Sequence, residues 1–221
     1  HRPAMGATVF VYGTLMAPEV LDALILRVPP SVPGEFNFRA PAPSTRRAPA
    51  SASSVSISPQ GRTHPSPSTL PARLPDHRRH RLRAHVFPAA VPCPGTSIAG
   101  LLLTGLSPAE QAVLDAFEGE EYRKARAEVL QGAAAAAASP SSSSTTTPAE
   151  VYLWQPALAD QLLPSPPDWS YEAFREAHLT KYVLMAAAFG EEARAAVGGD
   201  GGGGWAGVGA AGRAAGLVEG V

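Results

Sequence analysis

Three stretches of biased composition interrupt this chain and limit what it can fold into. Residues 33–75 are rich in Pro, Ser, Ala and Arg, residues 131–149 hold an alanine run followed by Ser and Thr, and residues 198–221 are rich in Gly and Ala. Segments with so few large apolar side chains cannot bury enough surface to offset the loss of chain entropy on folding. We therefore expect disorder in all three, with the first two inserted into a single domain over residues 7–197.

The sequence between these stretches predicts short strands and helices. A β-rich apolar run at Val9–Tyr12 comes before helical spacing of apolar residues over Pro18–Val28. An apolar run with a glycine at position 100, which suggests a bulge or a close backbone approach, predicts a strand at Ser97–Thr104. Further strands are predicted at Arg81–Phe87, Tyr122–Leu130 and Glu150–Trp154.

A capping box marks the start of the best-defined helix. Ser107 has the side chain of an N-cap, and Pro108 and Glu110 occupy the first turn. Together they predict a helix over Pro108–Glu118 that stops at Gly119.

A C-terminal helix is predicted from a stripe of apolar residues. Asp168 or Ser170 provides its N-cap, and Gly190 is expected to end it. The stripe consists of Phe174, His178, Tyr182, Met185 and Phe189, so His178 is expected to be a core histidine and not a ligand.

Composition argues against several classes of function. The formal net charge is -1 and the basic run Asp76–Arg83 lacks interleaved aromatic residues, so nucleic acid is not expected as a partner. No apolar run approaches the roughly 18 residues of a membrane span, and the start of the chain has no apolar signal core. The histidines and the single cysteine, Cys93, show no metal-ligand spacing. One cysteine also fits a reducing compartment, so we expect a cytoplasmic protein.

Glu118 is the ionisable residue whose position most suggests chemistry. It falls in the last turn of its helix, where the helix dipole disfavours negative charge, and Glu120 and Glu121 follow directly. Both effects raise the pKa of a carboxylate toward the range useful to a general base. The alternative is a solvated acidic turn with no chemical role.

A second candidate is the loop after the first strand. In Val9-Phe-Val-Tyr-Gly-Thr-Leu15, a strand meets a glycine and a hydroxyl residue just before a helix. Such a junction can present free backbone N–H groups to an anion or an oxyanion. An ordinary strand that ends in a turn would explain the same residues.

Together with Leu114-Asp-Ala-Phe-Glu-Gly-Glu-Glu-Tyr-Arg-Lys124, this loop resembles the gamma-glutamylcyclotransferase-like superfamily, and in particular its plant avirulence-induced-gene-like branch. Arg81–Pro92 is similar to the family's basic strand and aromatic-Pro-Ala turn, and Asp168–Phe189 to the branch's C-terminal helix. The resemblance implies an α+β fold, a small mixed β-barrel with flanking helices. It also implies a pocket between the loop and the carboxylate.

Carried over residue by residue, the resemblance makes Glu118 the proton acceptor and places Tyr122 in the same pocket. It assigns substrate binding to the loop residues Tyr12, Gly13, Thr14, Leu15, Met16 and Ala17. The branch usually has a polar residue where Met16 stands and often a tyrosine where Phe87 stands, so this chain departs from the pattern at both positions.

The implied activity is a gamma-glutamyl cyclotransferase that releases 5-oxoproline from a small-molecule gamma-glutamyl amide or peptide. The substrate's α-amino nitrogen attacks its own γ-carbonyl, and one carboxylate moves the proton, with no metal or organic cofactor. Two alternatives remain open. One is a non-catalytic gamma-glutamyl-binding or stress-signalling module on the same fold, and the other is partner recruitment by the proline-rich segment 33–75. The sequence leaves the substrate and the oligomeric state open.

Overall fold

The structure, a computed structural model, describes residues 7–26, 67–131 and 145–198. Its strands are β1 (Ala7–Val11), β2 (Ser68–Arg81), β3 (Pro88–Leu106), β4 (Tyr122–Gln131) and β5 (Thr145–Trp154). Its α-helices are α1 (Pro18–Ile25), α2 (Pro108–Glu118), α3 (Tyr171–Ala177) and α4 (Leu179–Gly198). Short 3-10 segments cover Thr14–Met16 and Pro156–Gln161.

The strands form one mixed sheet that closes on itself in the order β1-β3-β2-β4-β5. Neighbours along this order are antiparallel, whereas β5 pairs in parallel with β1 at Val9 and Phe10 and so joins the two ends of the sheet. The contact of β2 with β4 is equally short, limited to Ala72 and Arg73 of β2. The predicted α+β fold, a small mixed barrel with flanking helices, is confirmed.

Two apolar clusters explain why β1 is apolar on both faces. Val9 and Val11 pack in the cluster that includes α1, α2 and α4, while Phe10 and Tyr12 belong to a second cluster formed by residues from all five strands. Successive side chains of a strand point to opposite faces, so a strand buried on both sides is a continuous apolar run. The end of β1 is therefore held between the barrel interior and the helices.

Helix α2 has the start and the end that its sequence predicts. The Ser107 hydroxyl accepts a hydrogen bond from the Glu110 backbone N–H, and the Glu110 carboxylate accepts one from the Ser107 N–H. At the other end, Gly119 has a φ of 72° and donates its N–H to the carbonyl of Asp115. Glu118 is consequently the last residue of the helix.

The boundaries expected for the biased stretches need correction. β2 begins at Ser68, within the predicted insertion 33–75, and β5 begins at Thr145, within 131–149. Proline is tolerated in β2 because most of its second edge has no partner among the described strands. The remaining parts of these two segments and the tail beyond residue 198 lie outside the described residues.

Two further expectations are wrong in their details. Arg81–Phe87 is not a strand: β2 ends at Arg81, and a turn with Ala84 at a φ of 59° leads into β3. The C-terminal helix starts at the N-cap Ser170 but breaks at His178, which is only partly buried, and it continues past Gly190. Gly190 marks a helix crossing, since a Cβ there would lie 2.7 Å from the carbonyl oxygen of Ala23 in α1.

Candidate functional site

A pocket opens where the end of β1, the end of α2 and the start of β4 meet. It encloses about 420 Å³ of empty space, its open mouth included. Among the described residues that line it, Glu118 is the one charged side chain. The lining consists of Phe10, Val11, Tyr12, Gly13, Thr14, Leu15, Phe87, Pro88, Phe117, Glu118, Tyr122, Tyr152 and Tyr182.

Packing of the neighbouring Phe117 fixes the last turn of α2. The Phe117 ring is 1% exposed and meets the rings of Tyr182 and Phe189 edge-on, at centroid distances of 6.2 and 5.3 Å. Such edge-to-face contacts set the rotation of the helix about its axis. Because Phe117 is anchored against α4, Glu118 is held at the pocket wall.

The Glu118 carboxyl group has an elevated pKa of about 8. Burial is the largest cause, and the negative charges of Asp115 and Glu121 add to it. Glu120, which the sequence also suggested as a cause, is exposed and does not contribute to this shift. No hydrogen bond or ion pair joins the Glu118 carboxyl group to another residue in the described part of the chain, so it is free to exchange a proton with a bound molecule.

The loop opposite Glu118 turns tightly after β1. Met16 and Ala17 donate their N–H groups to the carbonyls of Gly13 and Thr14, at 3.0 and 3.1 Å. The N–H groups at the start of such a turn have no partner within it. Gly13 is required by packing, because a Cβ at this position would lie 2.8 Å from the Pro88 ring. The backbone of the loop therefore comes directly against the pocket.

Side-chain hydroxyl groups tie the pocket walls together. The Tyr12 hydroxyl donates to the main-chain carbonyl of Tyr152, and that of Tyr122 donates to the carbonyl of Pro88 at 2.7 Å. The Thr14 hydroxyl donates to the Tyr182 oxygen at 3.2 Å. These bonds connect β1, β3, β4, β5 and α4 around one cavity.

Burial also raises the pKa of each tyrosine in the lining, Tyr12, Tyr122, Tyr152 and Tyr182, and the charge of Glu118 raises it further. The four phenols therefore stay neutral near pH 7. Glu118 is left as the titratable group of the lining whose protonation changes near neutral pH.

Two of the residues assigned to the loop by resemblance lie away from the cavity. Met16 and Ala17 are not part of the pocket lining, and Ala17 is instead the fully buried N-cap of α1. The Met16 sulfur lies 3.9 Å from the Arg79 guanidinium, which donates to the Tyr12 carbonyl at 2.8 Å and stacks on the Trp169 ring at 5.4 Å. Arg79 thus stabilises the loop on the side away from the cavity lining, a role that the sequence did not suggest.

Sequence reasoning also missed Tyr152 and Tyr182 as lining residues. Tyr152 lies in a predicted strand and Tyr182 on the apolar stripe of a predicted helix, and neither pattern indicates a pocket. Phe87 and Pro88 carried a weak signal in the aromatic-Pro-Ala turn. Local patterns cannot distinguish a tyrosine in the core from one that faces a cavity.

Neither a metal-ligand cluster nor a membrane-spanning helix occurs among the described residues. No group of three or more His, Cys, Asp or Glu side chains there is arranged to hold a metal ion. None of the helices within 7–26, 67–131 and 145–198 is long and apolar enough to cross a membrane.

Comparison with known proteins assigns the chain to a family. A family model described as gamma-glutamyl cyclotransferase, AIG2-like, matches residues 57–172, just over half of the chain. The chain belongs to this family. The matched region includes Glu118 and Tyr122 of the pocket, whereas the loop Tyr12–Leu15 precedes it. The resemblance to the avirulence-induced-gene-like branch is confirmed.

Individual family members from Arabidopsis thaliana are similar at modest identity. AIG2-like protein D is 25% identical over 185 residues, which cover 84% of this chain and 90% of that protein. Protein AIG2 C is 26% identical over 115 residues, covering 52% of this chain and 62% of that protein. Among solved structures, a solution structure from Arabidopsis thaliana covers 84% of this chain and 90% of its own, with a TM-score of 0.46 and 20% identity. A gamma-glutamyl cyclotransferase structure covers 97% and 98%, with a TM-score of 0.41 and 13% identity.

Proposed function

We propose that this protein is a gamma-glutamyl cyclotransferase, which releases 5-oxoproline and a free amine from a gamma-glutamyl amide or peptide. One observation carries the proposal. Glu118, a carboxyl group with a pKa of about 8 and no partner among the described residues, faces the Tyr12–Leu15 loop across a pocket whose lining is otherwise uncharged. Membership of the gamma-glutamyl cyclotransferase, AIG2-like family supports the same reaction.

The proton affinity of Glu118 suits the first chemical step. A substrate α-ammonium group is a much weaker acid than an ordinary glutamic acid, so a carboxylate whose pKa is raised to about 8 can accept its proton at a smaller cost in free energy. Removal of this proton frees the α-amino nitrogen to attack the γ-carbonyl carbon of the same molecule. An ordinary exposed glutamate would be too weak a base for this transfer.

The same carboxyl group completes the reaction. As the new N–C bond of the five-membered ring forms and the original amide C–N bond breaks, the proton held by Glu118 passes to the departing nitrogen. The attacking nitrogen, which keeps one hydrogen in the ring, gives up its second proton to the Glu118 carboxylate, which passes it to the released amine. The amine therefore leaves as an ammonium ion, and Glu118 returns to its ionised form. Since nucleophile and electrophile belong to one molecule, holding the folded conformer supplies much of the rate enhancement.

The loop opposite Glu118 offers the complementary groups. Backbone N–H groups of Gly13, Thr14 and Leu15 can bind the substrate carboxylate or the oxyanion that develops on the γ-carbonyl oxygen. The neutral tyrosine hydroxyl groups and the aromatic rings around them form walls that exclude water. Because the lining draws on β1, α2 and α4, the proposal takes residues 7–197 as one domain.

The proposal is tested by incubating the full chain with gamma-glutamyl dipeptides, gamma-glutamylamines and glutathione and by measuring 5-oxoproline. We expect turnover of at least one substrate by the wild type and a rate lower by about 10²-fold or more in Glu118→Gln, which keeps the shape of the side chain. Equal behaviour of the two proteins on every substrate would contradict the proposal. A gamma-glutamyl compound that raises the melting temperature without product formation would favour the binding module instead.

A further inference from the structure

A cluster of hydrogen-bonded polar side chains extends from the pocket wall at Tyr152 to α2 and β4. We call Gln111, Asp115, Lys124 and Tyr152 the Asp115 cluster. One oxygen of the Asp115 carboxylate accepts hydrogen bonds from the Tyr152 hydroxyl at 2.6 Å and from the Gln111 amide at 2.8 Å. The other accepts from the Lys124 ammonium at 2.7 Å, and the Gln111 amide also donates to the Tyr152 oxygen at 2.9 Å. The cluster therefore joins α2 to β4 and β5.

Asp115 is well placed to act on Glu118. The two residues lie three positions apart on α2, which places their side chains on the same side of the helix, about 5–6 Å apart at the Cβ atoms. The Tyr152 ring lines the pocket while its hydroxyl binds Asp115, so one side chain connects the cluster to the cavity. Asp115 itself is absent from the lining and cannot touch a substrate there.

We propose that Asp115 is a positioning residue for Glu118: anchored by Tyr152, Gln111 and Lys124, it fixes the last turn of α2 and controls when Glu118 releases its proton. This inference rests on the proposed function for its catalytic meaning. Its physical content, a charge that acts on Glu118, can be measured without turnover.

Other charged and titratable groups also surround Glu118, so the effect of Asp115 has to be distinguished from theirs. Tyr12 faces it from the loop after β1, and Tyr122, Tyr152 and Tyr182 face it from β4, β5 and α4. All four are neutral near pH 7. Glu121 is the remaining negative charge that raises the pKa of Glu118. Lys124 opposes Asp115 but also pairs with Glu150 at 3.3 Å, so its positive charge is shared.

The experiment is a titration of the Glu118 side-chain carboxyl group in the full chain by carbon-13 NMR, with the resonance assigned by its loss in Glu118→Gln. Asp115→Asn removes a like charge, so the Glu118 midpoint should fall below that of the wild type. Lys124→Met removes the positive charge that offsets Asp115, so the midpoint should rise. Both side chains of this pair are about one third exposed, so each shift should be roughly half a unit.

Two matched variants guard against a purely structural effect. Glu120→Gln removes a charge of the same sign two residues after Glu118 and should leave the midpoint unchanged, whereas Asp115→Glu keeps the charge and should stay near the wild type. An unmoved midpoint in Asp115→Asn, or equal shifts in Asp115→Asn and Glu120→Gln, would overturn the inference. If Asp115→Asn does not fold, a midpoint in Lys124→Met that fails to rise overturns it alone.

Kinetics separate this inference from the proposed function. Where the wild type turns over, the low-pH limb of kcat/KM should move with the NMR midpoint, downward in Asp115→Asn and upward in Lys124→Met. A wild type without turnover on every substrate contradicts the proposed function but leaves the NMR result to decide the role of Asp115.

Discussion

The two ends of α2 hold two glutamates in opposite situations. Glu110, in the first turn and 9% exposed, has its carboxylate bound by the backbone N–H and the hydroxyl of Ser107, each at 2.7 Å. Glu118, in the last turn and partly buried, has no hydrogen bond to another residue within the described part of the chain, and its pKa is raised to about 8. The helix dipole reinforces the contrast, since it favours a negative charge at the N-terminus and disfavours one at the C-terminus.

The difference shows how one helix separates stability from chemistry. A carboxylate whose oxygens are satisfied by donors stabilises the element that carries it. A carboxylate that is desolvated and left without donors costs stability, and the same cost makes it a stronger base. The capping box supports the helix that holds Glu118 over the cavity, so the first end compensates for part of the cost at the second.

The largest expected effect comes from the same substitution at the two ends. Glu118→Gln should lower kcat/KM for 5-oxoproline release by about 10²- to 10⁴-fold, because it removes the proposed general base. Glu110→Gln keeps a capping-box side chain and should stay within about twofold of the wild type. Rates on the best substrate of the panel check both values. If Glu110→Gln lowered kcat/KM as much as Glu118→Gln, the two glutamates would not differ in chemical role.

The next effect is on stability at alkaline pH. The folded protein holds a proton on Glu118 up to about pH 8, whereas the unfolded chain releases it near 4.5, so the free energy of unfolding falls as pH rises between these values. Glu118→Gln lacks this term and should exceed the wild type by roughly 2–4 kcal/mol at pH 9, with the difference vanishing below pH 4.5. Urea denaturation of both proteins at several pH values measures it. A constant difference across this range would show that the Glu118 carboxyl group is not desolvated.

The pH dependence of catalysis sharpens the same point. Only the ionised form of Glu118 accepts a proton, so kcat/KM should rise about tenfold per pH unit below its pKa and level off above about 8. The substrate α-ammonium group is titrated separately, since its own ionisation contributes a limb in the same region. A profile that is flat between pH 6 and 8 would rule out a base of this pKa.

The smallest expected effect concerns the capping box. Ser107→Ala removes the acceptor for the Glu110 N–H and should lower the free energy of unfolding by about 1 kcal/mol. The kcat/KM should not change at temperatures where the variant is folded, because Ser107 is outside the pocket lining. Denaturant unfolding measures the free energy of unfolding, and the 5-oxoproline assay measures kcat/KM. A large loss of kcat/KM in the folded variant would show that the capping box affects the site at the other end of α2.

Local sequence signals were sufficient where local contacts determine the structure. The bounds of α2 follow from Ser107, Pro108, Glu110 and Gly119, since all of these act within one helical turn. The start of α1 at Pro18 follows in the same way. The turn after Arg81 was missed because alternation continues across it, and only pairing with β3 decides where β2 ends. The strand residues 68–75 could not be recognised from the sequence, because prolines are unusual in strands and only pairing with β3 shows that this segment is one.

The candidate site divides along the same line. Tyr12–Leu15, Glu118 and Tyr122 were indicated by the resemblance of two short motifs, and all line one pocket. Tyr152, Tyr182, Asp115 and Arg79 were not indicated, because their roles depend on which distant element they face. The hydrogen bond between Tyr12 and Tyr152 joins residues that are 140 positions apart in the sequence, and the bond between Thr14 and Tyr182 joins residues that are 168 positions apart.

By itself, the sequence determined the helix that carries Glu118 and indicated the family. Capping, turn geometry and motif spacing act between neighbours in the chain, so they can be read from residue types alone. The tertiary structure decided that Glu118 is desolvated, that Asp115 and not Glu120 adds to its proton affinity, and that four tyrosines surround it. Burial and charge proximity are properties of the closed sheet and its packed helices, and they arise only when β5 pairs with β1 and brings Tyr12 and Tyr152 to one cavity.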